Sequence, residues 1–278
     1  MADSYAVIGN PIAHSKSPLI HTEFSRQTGQ DIFYEAILAP LDAFAVTVAT
    51  FRQHGGKGMN VTIPFKQEAC KISSRLTERA QIAQAVNTLA FTAEEILGDN
   101  TDGAGLVRDI VVNLEFSLTV KRVLLMGAGG AARGVVLPLL EHKPRILTIA
   151  NRTRQKAYEL EQQFSCYGNV LSGDYADLRG EKFDLVINAT SASLTGSLPS
   201  LPLGIFANGS LAYDMMYGIE RSPFLDFARE HGVTRLADGI GMLVEQAAES
   251  FFLWRGVRPK TDSVIGMLES YALKSKRV

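Results

Sequence analysis

The chain has 278 residues, 46% hydrophobic and 21% charged, with a formal net charge of −1, the composition of a folded globular protein with room for two domains. The balanced charge argues against a general basic field for nucleic acid, and no apolar run approaches the roughly 18 residues of a membrane span. Cys70 and Cys166 form no C-x-x-C and the N-terminus has no basic n-region or apolar h-region, so a reducing, cytoplasmic setting without disulfide or metal is expected.

Tyr5–Ile8 is a short apolar run closed by G-N-P, a first buried strand. His14-Ser15-Lys16-Ser17-Pro18 follows, with Ser17 as a candidate N-cap before proline, then a helix with Leu19, Ile20 and Phe24 on one side. Ile32–Leu38 reads as a strand, and Phe44, Val48 and Phe51 mark a helix ending at Gly55-Gly56. Gly58–Thr62 is strand-like, Pro64 starts a short helix, and V-N-T-L-A-F is another strand. This alternation over the first hundred residues predicts a parallel or mixed sheet with covering helices. G-D-N-T-D-G, residues 98–103, reads as a loop and a domain boundary.

A helix over Gly103–Leu114 is expected next, then the apolar run Val123–Met126 ending at Gly127. Arg145–Ala150, Phe183–Asn188 and Ser210–Asp214 read as further strands, separated by a helix with Ala157, Leu160 and Phe164 on one face. Repeated strand–helix units predict a doubly wound, Rossmann-like domain over 103–238. The chain after Gly239 is helical by pattern and is expected to pack back on the first domain, residues 1–102. His21, His54, His142 and His231 are scattered and read as surface or helix-end residues.

The stretch Arg122–Arg133, R-V-L-L-M-G-A-G-G-A-A-R, reads as strand, tight turn and helix, with the helix continuing through Val135, Val136, Leu139 and Leu140. Its G-x-G-x-x-A spacing (Gly127, Gly129, Ala132) fits the dinucleotide fingerprint. The first glycine permits the turn and the second admits a pyrophosphate. The third small residue lets the helix sit close, and its N-terminus favours the anion. An NAD site places Asp or Glu at the end of the second strand. Here that strand ends in Asn151, followed by Arg152, Thr153, Arg154 and Lys156, so a 2′-phosphate, hence NADP, is favoured.

Three polar stretches before residue 103 sit at predicted strand ends, where open α/β sheets bind ligands. They are Ser15 with Ser17; Asn60, Thr62 and Lys66; and Asn87 with Asn100-Thr101-Asp102. Asn60 and Thr62 alternate along one strand and point the same way. Together these stretches suit a small molecule with several hydroxyls and a carboxylate. Gln246 lies on the apolar stripe of Leu243, Ala247, Ser250, Phe251 and Trp254, an unusual place for an amide.

Y-A-V-I-G-N-P-I-A-H-S-K-S-P, N-V-T-I-P-F-K, A-V-N-T-L, G-D-N-T-D-G, G-A-G-G-A-A-R, N-R-T, I-N-A-T-S and A-D-G-I-G-M-L-V-E-Q-A-A occur in this order along nearly the whole chain. In this set the sequence resembles the shikimate dehydrogenases. The resemblance implies NADP-linked interconversion of 3-dehydroshikimate and shikimate on the route to aromatic amino acids. It also implies that Ser15 and Ser17 hold the substrate carboxylate. Thr62, Asn87 and Asp102 are then its hydroxyl partners, with Asn60 nearby, and Tyr217 and Gln246 are further contacts. Lys66 becomes the acid/base beside Asp102. On the cofactor side it implies Gly127, Ala128, Gly129, Gly130 and Ala131, then Asn151, Arg152, Thr153, Arg154, Gln155 and Lys156, with Met215, Gly239 and Glu78. Lys156 departs from an arginine common in the family, which softens NADP selectivity. A cleft closing over the substrate, and a monomer or homodimer, are also expected. The alternatives are a quinate/shikimate dehydrogenase using NAD or NADP, and a non-catalytic NADP-binding regulator.

Overall fold

The structure is a computed structural model and describes residues 2–190, 197–218 and 222–275. The chain divides into two compact units, one running up to Gly105 and taking in Val244–Ile265, the other Leu106–Leu243 with the chain from Gly266.

The first unit holds a mixed six-stranded sheet. It is built from β1 (Asp3–Gly9), β2 (Ile32–Leu38), β3 (Gly58–Val61), β4 (Arg75–Leu76), β5 (Thr88–Phe91) and β6 (Ile96–Asp99), in the order β2-β1-β3-β5-β6-β4. β1 pairs parallel with β2 and β3, while β5 runs antiparallel to both β3 and β6. Both faces of β1 are covered, so alternate residues serve two cores. Ala6 and Ile8 join Met59, Val61, Phe65 and Leu89 on one face, and Tyr5 and Val7 join Ile12 and Tyr34 on the other. Helices α1 (Ser17–Thr28), α2 (Phe44–Gln53), α3 (Lys66–Ile72) and α4 (Glu78–Ala83) fill the connections.

The second unit holds β7 (Arg122–Met126), β8 (Ile146–Ala150), β9 (Val170–Gly173), β10 (Phe183–Asn188), β11 (Phe206–Asp214) and β12 (Arg235–Ala237). All pairings are parallel, in the order β12-β11-β10-β7-β8-β9. With α6 (Gly130–Glu141), α7 (Arg154–Phe164) and α8 (Pro223–Glu230) as crossovers, this is the doubly wound order of a dinucleotide-binding fold. α6 buries Ala132, Val135, Val136, Leu139 and Leu140, and α7 buries Ala157, Leu160 and Phe164, the stripes the periodicity marks.

Several sequence expectations need correction. G-D-N-T-D-G is not a loop, because Gly98 and Asp99 end β6 and Asp102 opens α5 (Asp102–Arg108). Asp99, Asn100, Thr101 and Asp102 are all buried, their polar groups taken up by neighbours instead of by water. The expected helix to Leu114 stops at Arg108 and widens into a π-helical turn, Asp109–Asn113, where the Tyr213 hydroxyl donates to the Asp109 carboxylate at 2.7 Å. The division between units falls inside α5, since Leu106 and Val107 are already buried and belong to the second unit. The C-terminal helices do not go to one unit. α9 (Ile240–Arg255) divides at Leu243 and α10 (Asp262–Ser275) at Ile265.

His21 is also not a surface residue. It is 0% exposed, stacked on Tyr34 at 4.2 Å between ring centroids, and burial pushes its imidazole down to about 3. A neutral ring makes the better stacking partner in that apolar setting. His54, His142 and His231 do close helices, as C-caps of α2, α6 and α8. Among the described residues no helix is long and apolar enough to cross a membrane.

Candidate active site

In the first unit, Lys66 stands first in α3, just past the end of β3, and Asp102 stands first in α5, just past β6. The Lys66 Nζ donates to Asp102 Oδ2 at 2.5 Å. Asp102 is 7% exposed, and its other oxygen, Oδ1, accepts from Asn87 Nδ2 at 2.8 Å. Its backbone N–H, the first of α5, donates to Asn100 Oδ1 at 3.1 Å, and Asn100 Nδ2 donates to the Ala85 carbonyl at 3.0 Å. Lys66 is held in turn through its backbone carbonyl, which accepts from Val86 N at 2.9 Å. Every group on the Lys66–Asp102–Asn87 line therefore has a second anchor.

Asn87 turns its amide nitrogen toward Asp102, the Thr101 hydroxyl (2.9 Å) and Gln246 Oε1 (3.3 Å). Its oxygen accepts from Thr101 N at 2.8 Å and the Thr88 hydroxyl at 2.9 Å. Gln246 arrives from α9, which packs close to α5 because Gly105 carries no side chain. A Cβ there would lie 2.6 Å from Gln246 N. The amide on the apolar stripe is thus placed among the buried polar groups of this unit.

Asn60, on β3, accepts from the Tyr34 hydroxyl at 2.7 Å and donates to the Ser250 hydroxyl at 2.9 Å. Thr62 is half-buried beyond it, and a Cβ on Gly9 would lie 2.4 Å from Thr62 Cγ2, so that close approach needs glycine. Ser15 accepts from the Ser17 backbone N–H at 3.3 Å, and the buried Ser17 is the first residue of α1, with Lys16 and not Ser17 at its N-cap.

Behind these groups Asp99 binds Arg79 through both carboxylate oxygens and also accepts from Thr77 and the Asn100 N–H. Burial raises its pKa, but these donors more than offset that and hold the carboxylate below its ordinary value. Glu78, beside Arg79, is exposed at the start of α4.

In the second unit the glycine loop follows β7. Gly127 has φ +104, and a Cβ would lie 3.2 Å from the Ala189 carbonyl in the segment after β10. β7 and β10 are adjacent, so this is the point where the strand order reverses and doubly wound folds bind their ligand. Gly129 and Gly130 differ from Gly127, since nothing lies within 4 Å of a Cβ built on either. The buried Ala128 and the N-cap Gly129 lead into α6, which Gly130 and Ala131 open, and that N-cap makes no side-chain hydrogen bond. Uncapped N–H groups reached across two bare glycines fit a pyrophosphate. The residues present therefore fit a dinucleotide.

Beyond β8, Asn151 Nδ2 donates to the Thr153 carbonyl at 2.9 Å and shapes the turn into α7. Arg152, Thr153, Arg154, Gln155 and Lys156 are all exposed. Arg154 is ion-paired with Asp177, a carboxylate brought by the turn after β9 that no local sequence signal marked. Tyr175 lies near Arg152, and burial lifts its phenol to about 12 while the guanidinium opposes that rise. Further along, Met215 and the exposed Tyr217 follow β11. A Cβ on Gly239 would lie 2.3 Å from the Met215 carbonyl, so Gly239 lets the entry to α9 press on that segment. The I-N-A-T-S stretch ends β10, and its last residue lies outside the described residues.

Family models for the shikimate dehydrogenase substrate-binding domain, for shikimate/quinate 5-dehydrogenase and for the shikimate 5′-dehydrogenase C-terminal domain match residues 7–89, 110–195 and 239–266. The chain is 71% identical over 270 residues to the shikimate dehydrogenase (NADP(+)) of Nitrosospira multiformis, covering 97% of this chain and 98% of that one. It is 60% identical to the protein of the same name from Dechloromonas aromatica, at 97% and 98% coverage. Among solved structures, an Ael1 enzyme of Pseudomonas putida superposes with a TM-score of 0.91 at 52% identity, covering 96% and 98% of the two chains. The shikimate 5-dehydrogenase of Thermus thermophilus, in complex with NADP(H) and shikimate, superposes with a TM-score of 0.85 at 30% identity, covering 95% and 97%. With its two folds, its glycine loop and this identity over nearly its full length, the chain belongs to the shikimate dehydrogenase family.

Proposed function

We propose that the protein interconverts 3-dehydroshikimate and shikimate with NADP as cofactor, a step of aromatic amino-acid biosynthesis, with Lys66 as the acid/base. The observation that carries this reading is the Lys66–Asp102 contact at 2.5 Å, with Asp102 fixed from its other oxygen by Asn87. NADPH, when bound, supplies the hydride that reduces the ketone. Lys66 donates a proton from Nζ to the oxygen that becomes the hydroxyl, and in the reverse direction it takes that proton back. Asp102 holds the Lys66 ammonium in place and, with Thr62 and Asn87, binds the ring hydroxyls. Asn60, on β3, stands near Thr62, which follows the end of that strand.

Ser15 and Ser17 hold the substrate carboxylate at the start of α1, where backbone N–H groups add to their hydroxyls. Gln246 and Tyr217 complete the substrate contacts. The cofactor pyrophosphate rests on Gly127–Ala131. Asn151, Arg152, Thr153, Arg154, Gln155 and Lys156 surround the 2′-phosphate end, and Met215, Gly239 and Glu78 make further cofactor contacts. We place the protein in the cytoplasm, as a monomer or homodimer with no nucleic-acid partner.

A steady-state assay with shikimate and quinate, each against NADP and NAD, tests the reading. Turnover should be highest with shikimate and NADP. Comparable turnover with NAD or with quinate would favour the broader dehydrogenase. Absence of turnover with all four pairs, in folded protein that still binds NADPH, would leave a regulator.

A further inference from the structure

Two hydroxyls in the first unit have no role in the assignments above, yet they stand at the centre of its polar cluster. Thr88, on β5, and Ser250, on α9, are each 0% exposed. We propose that Thr88 and Ser250 are positioning residues that fix the orientation of the two site amides, Asn60 and Asn87, and through Asn87 the placing of Asp102 against Lys66. The proposal rests on the site assigned above.

A hydroxyl has one proton and two lone pairs. The Thr88 proton goes to Asn87 Oδ1 at 2.9 Å, so the Ser250 proton is the one available to the 2.8 Å contact between the two hydroxyls, with the Gln246 carbonyl one turn earlier, at 3.0 Å, as its other acceptor. The Ser250 oxygen is left to accept from Asn60 Nδ2 at 2.9 Å. Asn60 Nδ2 also lies 3.2 Å from the Thr88 hydroxyl. With the Asn87 backbone carbonyl at 3.3 Å, three acceptors therefore face the nitrogen side of Asn60, two of them these hydroxyls, and its oxygen is turned to the Tyr34 hydroxyl at 2.7 Å. Flipping that amide would set a carbonyl against these oxygens and an NH₂ against the Tyr34 hydroxyl.

At Asn87 the logic is reversed. The Thr101 N–H donates to its oxygen at 2.8 Å and the Thr88 hydroxyl does so at 2.9 Å. Donors on the oxygen side leave the NH₂ group facing Asp102 Oδ1 at 2.8 Å. A flipped Asn87 would present a carbonyl to the Asp102 carboxylate, and the repulsion would move the group that holds Lys66. Thr88 thus touches both amides, and Ser250 joins the cluster to α9. Neither residue is asked to touch substrate.

Thr88→Val keeps the shape and removes the hydroxyl, Thr88→Ser keeps the hydroxyl, and Ser250→Ala tests the other centre without disturbing the helix. For each, kcat, KM for shikimate, the pH profile of kcat/KM and the melting temperature are measured against the parent. Thr88→Val and Ser250→Ala should each lower kcat/KM by about tenfold or more, the effect of leaving a buried polar group unpaired. They should also displace a limb of the pH profile of kcat/KM, which a purely structural role would leave in place. Thr88→Ser should stay within about twofold of the parent.

If Thr88→Val does not fold, Ser250→Ala decides alone. Parent-like kcat, KM and pH profile in the hydroxyl-deleted variants would overturn the proposal, and so would parent-like kinetics at a lowered melting temperature, which would make the hydroxyls purely structural. Lys66→Ala with unchanged kcat would overturn it differently, by removing the site itself.

Discussion

In the unit that carries Lys66, the groups proposed to meet the substrate are side chains held by other side chains. Asp102, Asn87 and Asn60 each have partners on more than one side, drawn from β2, α3, β5, α5 and α9. In the unit that carries Gly127, the groups proposed to hold the cofactor are backbone N–H groups uncovered where side chains are missing, and nothing stands within 4 Å of the space a Cβ of Gly129 or Gly130 would take. The substrate half is therefore sensitive to atoms taken away, and the cofactor half to atoms added. This matches their chemistry, since a polyhydroxy acid needs several donors and acceptors at fixed angles, whereas a pyrophosphate needs close approach to N–H groups.

The sharpest way to break that contrast is Gly129→Ala set beside Gly127→Ala. At Gly129 the backbone has φ −86 and ψ −172, ordinary for alanine, and the added methyl meets no protein atom. Stability should stay within about 0.5 kcal/mol, while NADPH affinity, by titration calorimetry, should fall about ten- to a hundredfold through lost N–H contacts to the anion. Gly127→Ala should lose melting temperature as well, because φ +104 is a conformation alanine rarely adopts. Wild-type affinity in Gly129→Ala would end the claim that the bare backbone is the binding surface.

Next in size is an acid effect confined to the first unit. The His21 imidazole has a folded pKa of about 3, against an ordinary value near 6.5. The unfolded chain binds this proton more readily, so the stability contribution is complete above about pH 6.5 and is lost as pH falls toward 3. Between pH 7 and pH 5 that amounts to about 2 kcal/mol. Denaturant titrations should show His21→Phe losing about that much less over the same interval. Equal losses in both proteins would mean that His21 is not held neutral. The smallest effect concerns Arg154 and its exposed partner Asp177. Such pairs are worth about 0–1 kcal/mol, so Asp177→Asn should free Arg154 and tighten NADPH by about two- to fourfold, with NADH unmoved.

Long elements with a clear period could be read from sequence. Ile32–Leu38 and Phe183–Asn188 coincide with β2 and β10, and the buried stripes of α6 and α7 fall where the 3.6-residue spacing puts them. The short strands β4, β9 and β12, of two to four residues, carry no period and went unmarked. G-D-N-T-D-G has turn composition, yet its side chains are the buried wiring of the site; Asp, Asn and Thr look the same in sequence whether they bond to water or to neighbours. For the same reason Lys66, Asn87 and Asp102 could be picked out as polar residues at strand ends, while Thr88 and Ser250 could not. A threonine on a strand and a serine on an apolar helix stripe have ordinary explanations until their partners, some 160 residues apart in sequence, are seen to be shared. Asp177 was hidden likewise, since only the turn after β9 brings it to Arg154.

The most direct test of the account is the turnover of Lys66→Ala with saturating shikimate and NADP, beside its KM for shikimate. Loss of general acid/base help should lower kcat by roughly 10²- to 10⁴-fold and leave KM within a few-fold. An unchanged kcat would contradict the account and take the proton transfer away from Lys66.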